Sequence, residues 1–232
     1  MLHGFTLGKL NTSLLAATLL AAFIAIAAIN PGGSSAAVIG GGGLTTNSKN
    51  SNASKANGNS SKLAPRFGYR TLRQGMRGKD VRILKGIARS KSLLSGALTA
   101  KFDQRTTNAV KNFQNSADIS TNGVVNKTTS KSMVRTMKRT EASWYGPGLY
   151  GNGVACGGTL RPGTIGVAHK TLPCGSKLMV GYRGRYLTAK VIDRGPYIAG
   201  RSLDLTYAAA ESLGFIDAGV ANVRYAVVKR GK

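Results

Sequence analysis

The sequence predicts a multi-domain protein in which a small helical domain is followed by a small closed β-barrel. Residues 66–139 carry apolar residues at spacings of three and four, which is typical of amphipathic helices. Residues 140–232 instead alternate short β-rich runs with Gly and Pro. A chain of 232 residues is long enough for two such domains.

The N-terminal segment 1–37 is predicted to direct export. Lys9 precedes an uncharged apolar run from Leu14 to Ile29, and small residues follow at positions 34–37. The run is shorter than the roughly 20 apolar residues of a membrane span. We therefore expect a secretory signal peptide, with an uncleaved N-terminal anchor as the alternative. The protein is expected outside the cytoplasm, with membrane contact only through this segment.

Residues 38–65 are rich in Gly, Ser and Asn and hold almost no large apolar side chain. Such a stretch cannot offset its ordering entropy by burial, so it is predicted to be a disordered linker. The whole chain has 33 basic and 8 acidic residues and a net charge of +25. A field of this sign attracts anionic polymers. Export and the lack of a recognition motif disfavour nucleic acid, which leaves anionic wall polymers as expected partners.

Three helices are predicted within residues 66–139. Asp80, Asp103 and Asn126 stand where N-cap residues are expected, and glycines punctuate the turns between the helices. The apolar positions are Val81, Ile83, Leu84 and Ile87 in the first helix, Ala109, Val110 and Phe113 in the second, and Met133, Val134 and Met137 in the third.

Several motifs in this segment match a known wall-binding module. They are LRQGMRGKDV at 72–81, FD at 102–103, AVKNFQ at 109–114 and NGVV at 122–125. The segment resembles the peptidoglycan-binding domain 1 family, a three-helix domain. The resemblance implies that peptidoglycan glycan strands are the ligand. A helical spacer that binds nothing is the alternative.

The C-terminal segment contains five predicted strands and one predicted helix. The helix is expected to begin after Thr206 and to end at Gly214. Many short strands within about 90 residues predict a small closed barrel. The predicted strands are Ala142–Tyr145, Gly163–Ala168, Lys177–Tyr182, Arg185–Ile192 and Val220–Val228.

Two carboxylates eleven positions apart, Asp193 and Asp204, stand out in a chain that has few acids. Alternation along the preceding strand puts Asp193 on the same side as Val191, so its pKa is expected to be raised by burial. A raised pKa is what a general acid needs near neutral pH. Asp204 lies between Leu203 and Leu205 and is expected to face away from the core. Paired carboxylates are typical of glycosidic bond chemistry.

The motifs around these acids resemble a second family. ASWYG at 142–146, VAHKTLPCG at 167–175, VIDRGPY at 191–197 and LDLT at 203–206 look like the rare lipoprotein A family. The resemblance implies a six-stranded double-psi β-barrel. It also implies a lytic transglycosylase that cleaves between N-acetylmuramic acid and N-acetylglucosamine and leaves 1,6-anhydro ends. The family's active-site positions fall on His169, Asp193 and Asp204.

Further expectations complete the predicted site. Arg194 and Tyr197, beside the first acid, are expected to contact substrate. Cys156 and Cys174 are expected to form a disulfide because an exported chain with two cysteines favours one; two free buried thiols are the alternative. No metal or other cofactor is expected. A non-catalytic, expansin-like protein that binds and loosens the wall is the alternative function, since the same barrel occurs in such proteins.

Overall fold

A computed structural model of the chain describes residues 63–232. The predicted leader and almost all of the predicted linker therefore lie outside the described residues. Within residues 63–232, none of the helices has the length and apolar character needed to cross a membrane.

Helices α1 to α3 lie in the segment where the sequence predicts them. Their bounds are α1 Lys79–Ser90, α2 Gln104–Ser116 and α3 Lys127–Arg135. Two predicted N-caps are confirmed, because the Asp103 side chain accepts from Thr106 N and the Asn126 side chain accepts from Thr129 N. These bonds satisfy backbone donors that a helix leaves unpaired at its first turn.

The prediction that Asp80 caps the first helix is wrong. The residue before α1 is Gly78, and Asp80 lies inside the first turn. Its carboxylate instead pairs with the guanidinium of Arg70, with Oδ1 2.9 Å from Nη2. A negative charge in the first turn still favours the helix because it complements the helix dipole.

Six strands form a closed barrel in the order β1-β5-β2-β4-β3-β6. Pairs β1–β5 and β2–β4 are parallel, and the other neighbours are antiparallel. The five predicted strands are present, and β5 is an additional strand that contains Asp204. The strands are β1 Lys138–Tyr145, β2 Gly166–Ala168, β3 Lys177–Tyr182, β4 Arg185–Asp193, β5 Arg201–Thr206 and β6 Ala221–Lys229.

Helix α4, Tyr207–Leu213, follows β5 and packs Ala209, Ala210 and Leu213 into the barrel core. Gly214 ends it in the left-handed conformation, with φ of 68°. Thr206 occupies the N-cap position as predicted, but its hydroxyl donates to Thr164 O at 2.6 Å rather than capping the helix. The same hydroxyl accepts from Gly166 N, so it links β5 to the start of β2.

One hydrophobic cluster joins the helices to the barrel. The apolar faces of α1, α2 and α3 pack together, and the cluster continues onto β3, β4 and β6 through Met179, Tyr186, Ala226 and Val228. Phe67 meets Tyr186 edge to face, with ring centroids 6.1 Å apart. The helical segment and the barrel therefore share a core.

Polar contacts support the same junction. Arg224 of β6 donates through Nη1 to the carbonyls that end α3, at 3.1 to 3.4 Å from the oxygens of Val134, Arg135 and Met137. A cation at a helix C-terminus is stabilising because of the helix dipole.

The predicted linker 38–65 extends too far at its C-terminal end. Ala64 is buried against the barrel and donates its backbone N–H to Ser212 O at 2.7 Å. Pro65 O accepts from Tyr186 N at 2.9 Å. These backbone bonds, which composition does not reveal, hold the chain on the barrel before the helices begin.

Candidate active site

The two aspartates lie in one row across four neighbouring strands. In this row Ser143 of β1 pairs with Asp204 of β5, Asp204 pairs with Ala168 of β2, and Ala168 pairs with Asp193 of β4. Adjacent strands are about 4.8 Å apart, so the two aspartate Cα atoms are about 10 Å apart with β2 between them. The small Ala168 side chain leaves room between the two carboxyl groups.

A β-bulge decides which way Asp193 faces. Val167 pairs with Val191, but the next residue on β2, Ala168, pairs with Asp193 and not with Ile192. The extra residue on β4 interrupts the alternation of side chains at this point. Asp193 therefore lies on the outer face with Ala168, whereas Val191 lies in the barrel core. The parity prediction that put Asp193 on the apolar side is wrong for this reason.

Backbone donors hold the Asp193 carboxylate. Its Oδ1 accepts from Ala155 N at 2.9 Å and from Arg194 N at 2.8 Å. Cys156, which follows Ala155, is also held in place because its N–H donates to Ile192 O. Two loops thus converge on one carboxylate oxygen at the end of β4.

Asp204 is the carboxyl group whose environment suits a proton donor. Its Oδ1 is buried and has no hydrogen-bond partner among the described residues. Burial raises the pKa of Asp204 above its ordinary value, and the negative charge of Asp193 adds to this, while Ser143 and the Arg201 guanidinium oppose it. As predicted, Asp204 alternates with Leu203 and Leu205, which are both in the core.

Tyr145 lies on the same face as this row, two residues beyond Ser143 on β1. Its hydroxyl is buried and, like Asp204 Oδ1, lacks a partner within residues 63–232. Burial raises the pKa of Tyr145, and the nearby charges of Asp193 and Asp204 raise it further. The hydroxyl therefore stays protonated and is available as a donor beside two carboxyl groups.

His169 adjoins the row through its backbone, and its ring has a separate setting. Its N–H donates to Asp193 O at 3.1 Å. Its Nδ1 accepts from Thr171 N and Leu172 N, both at 3.1 Å, and its ring packs edge to face on Tyr225. Burial lowers the pKa of His169, and the charges of Lys138 and Arg194 lower it further. The imidazole is therefore neutral at pH 7.

The predicted disulfide is present. Cys156 and Cys174 are bonded, with Cα atoms 5.4 Å apart. The bond ties the loop that donates Ala155 N to the loop that follows His169. It therefore anchors both loops around Asp193.

Of the two expected substrate contacts, only one has a free side chain. Tyr197 is 83% exposed beside the site, so its ring is open to a ligand. Arg194 instead uses its guanidinium within the protein. Nη1 donates to His169 O at 3.2 Å and to Leu172 O at 2.9 Å, and Nη2 lies 3.2 Å from Cys174 Sγ. Arg194 thus fastens the loop that carries His169.

Ser143, Tyr145 and Arg201 are not among the site residues that the sequence predicts. Arg201 donates through Nη1 to Ser143 Oγ at 3.2 Å, directly beside Asp204. The ASWYG motif contains Ser143 and Tyr145, but only the parallel pairing of β1 with β5 shows that both face the aspartates. Among residues 63–232 no group of three or more His, Cys, Asp or Glu side chains is arranged to hold a metal.

Family comparison agrees with both halves of the described chain. Residues 138–225 match the family model of lytic transglycolases, and residues 77–133 match that of a peptidoglycan binding domain. Residues 138–225 thus form a barrel similar to that of the rare lipoprotein A family.

The barrel region is similar to curated members of this family. It is 44% identical over 92 residues to "Probable endolytic peptidoglycan transglycosylase RlpA" of Aquifex aeolicus, covering 39% of this chain and 41% of that protein. It is 40% identical over 92 residues to "Endolytic peptidoglycan transglycosylase RlpA" of Campylobacter jejuni, covering 39% and 34%. The chain thus spans less than half the length of these relatives.

The barrel is also similar to a solved structure of an expansin from Clavibacter michiganensis. The two share 23% identity with a TM-score of 0.35, over 42% of this chain and 52% of the expansin.

Proposed function

We propose that the protein is a peptidoglycan lytic transglycosylase that cleaves the bond between N-acetylmuramic acid and N-acetylglucosamine. The observation that carries the proposal is the pair of carboxyl groups on one outer face, with Asp204 desolvated and Asp193 held by backbone N–H groups. Two carboxyl groups with different environments can take different roles in one reaction. The family membership of the barrel supports the same chemistry.

In the proposed reaction Asp204 acts as both acid and base. Its proton passes to the glycosidic oxygen as the bond from the muramoyl C1 breaks. The resulting carboxylate then takes the proton from the muramoyl C6 hydroxyl, and the C6 oxygen bonds to C1. The products are a 1,6-anhydro end and a free hydroxyl on the leaving sugar. No water is consumed, and Asp204 ends in its initial protonated form.

Other residues of the row support this sequence. The Asp193 carboxylate faces the same surface and would stabilise the positive charge that develops on the sugar ring. The Tyr145 hydroxyl would donate to the Asp193 carboxylate and hold it toward the sugar ring. His169 and Arg194 would position the loop beside Asp193, and Tyr197 would stack on a sugar ring. This assignment makes Asp204, rather than Asp193, the principal acid.

The helical segment would attach the enzyme to its substrate. We propose that residues 66–139 form a three-helix peptidoglycan-binding domain and that residues 140–232 form the catalytic barrel. The shared core would keep the two in a fixed relation. Residues 1–37 would export the protein to the cell wall, where the net charge of +25 favours anionic polymers.

Product analysis tests the proposal. Purified sacculi and peptide-free glycan strands are incubated with the protein, and released fragments are analysed by mass spectrometry. Anhydromuramoyl ends are expected with the wild type and are expected to disappear in Asp204→Asn. Glu211→Gln, in helix α4 and away from the row, serves as the matched control. Sacculus binding without release of any fragment would reject the enzyme and favour the wall-loosening alternative.

A further inference from the structure

A cavity of about 620 Å³ lies beside the aspartate row, on the side of His169. Cationic side chains from four separate segments line it: Lys138, Lys170, Arg201 and Arg230. No Asp or Glu is among its lining residues in the described part of the chain. Such a concentration of one charge sign in a concave surface focuses its field on an anionic group.

None of these four cations forms an ion pair with a carboxylate of the described chain, although Arg201 lies near enough to Asp204 to interact with its charge. The ion pairs within residues 63–232 are Arg70–Asp80 and Lys85–Asp103, and neither involves the cavity. The neutral His169 ring on the cavity wall adds no negative charge. The cavity therefore has unmatched positive charge that a ligand can satisfy.

Arg201 connects the cavity to the proposed acid. It lines the cavity, its Nη1 donates to Ser143 Oγ, and Ser143 pairs with Asp204 across β1 and β5. A ligand group in the cavity is thus separated from Asp204 by little more than one side chain. A sugar that is being cleaved at Asp204 can extend a substituent into the cavity.

We propose that this cavity binds a carboxylate of the substrate's muramoyl residue and so selects which sugar presents its C1 to Asp204. This inference rests on the proposed function. Muramic acid carries a lactyl carboxyl group, which is free in peptide-free strands and otherwise bears a peptide with its own carboxylates. N-acetylglucosamine carries no acid. The cavity would therefore distinguish the two sugars of the repeating unit by charge.

Binding measurements on the full chain test the inference without relying on turnover. All proteins carry Asp204→Asn to prevent cleavage, and the ligand is a peptide-free tetrasaccharide of alternating N-acetylglucosamine and N-acetylmuramic acid. Its affinity is compared by calorimetry with that of the same tetrasaccharide in which the lactyl carboxyls are methylamides. The acid form is expected to bind about tenfold more tightly, as one well-placed charge contact would give.

Two double variants locate the effect. Lys170→Gln with Arg230→Gln removes two cavity charges, whereas Lys177→Gln with Lys190→Gln removes two exposed charges of β3 and β4 that do not line the cavity. The cavity variant is expected to reduce the preference for the acid form to about twofold or less, and the control is expected to retain it. Matching melting curves establish that the variants are folded.

A second ligand pair identifies the source of the carboxylate. It is the peptide-bearing tetrasaccharide with its peptide carboxyls free or amidated. A cavity-dependent preference in the peptide-free pair assigns the lactyl carboxylate, and one in the peptide-bearing pair assigns the stem peptide. Equal affinities within both pairs, or equal losses in the cavity and control variants, would overturn the inference. If the wild type cleaves glycan but the Asp204→Asn protein binds the acid and amide ligands equally, only the inference is rejected. If the Asp204→Asn protein prefers the acid ligand but the wild type cleaves no glycan, only the proposed enzyme is rejected.

Discussion

Removing the Cys156–Cys174 disulfide should destabilise the whole described unit. The two cysteines are 18 positions apart in sequence. A crosslink over a loop of that size stabilises by about 3 kcal/mol in the chain-entropy model, because it restricts the unfolded chain. The helices and the barrel share a hydrophobic cluster, so we expect them to unfold together. For a unit of this size, the loss corresponds to a fall in Tm of roughly 6–12 °C.

Thermal unfolding followed by circular dichroism measures this loss. The Cys156→Ala, Cys174→Ala double variant and the oxidised wild type are melted with and without a thiol reductant. Reductant is expected to lower the wild-type Tm to that of the variant and to leave the variant unchanged. The reduced wild type serves as the control for the lost side-chain volume. A double variant that melts together with the oxidised wild type would refute the reasoning.

Three further perturbations test the site and the junction. Ser143→Ala removes a group that lowers the pKa of Asp204, so the pKa of Asp204 should rise. Because the proposed acid must be protonated, the alkaline limb of the pH profile of kcat should move to higher pH. A shift to lower pH would contradict the assignment. Tyr145→Phe removes a buried hydroxyl for which residues 63–232 supply no geometric hydrogen-bond partner, so Tm should stay equal or rise while kcat falls by at least about tenfold. An unchanged kcat would remove Tyr145 from the mechanism. Arg224→Met deletes the contacts to the end of α3 and should lower the free energy of unfolding in urea by about 1–2 kcal/mol. Arg161→Met, at an exposed loop position, should leave it almost unchanged. Equal losses in the two variants would argue against a role of Arg224 in the junction.

Local chemistry made much of the fold predictable from the sequence. Asp103 and Asn126 cap their helices as expected because an N-cap bond joins residues three positions apart. Gly214 ends α4 because its left-handed conformation suits glycine. The disulfide was predictable from two cysteines in a chain expected to be exported. The alternation of Leu203 and Leu205 correctly predicted that Asp204 faces away from the core.

Features that depend on long-range pairing were not predictable in the same way. The buried setting of Asp204 arises from strands far apart in sequence, and the buried hydroxyl of Tyr145 becomes a neighbour of both acids only when β1 pairs with β5. Likewise, Arg194 looks like a ligand contact in a sequence motif. Its guanidinium binds the carbonyls of a loop more than 20 positions away.

The sequence by itself determined that Asp193 and Asp204 are the candidate acids and where the helices and five of the six strands lie, because those features depend on neighbours within a few positions. Only the tertiary structure decided which acid is desolvated. The β-bulge at Ile192 turns Asp193 to the outer face, and bulges arise from the pairing of two strands rather than from the pattern of one. The pairing of β5 with β1 and β2 sets the surroundings of Asp204, and burial there raises its pKa.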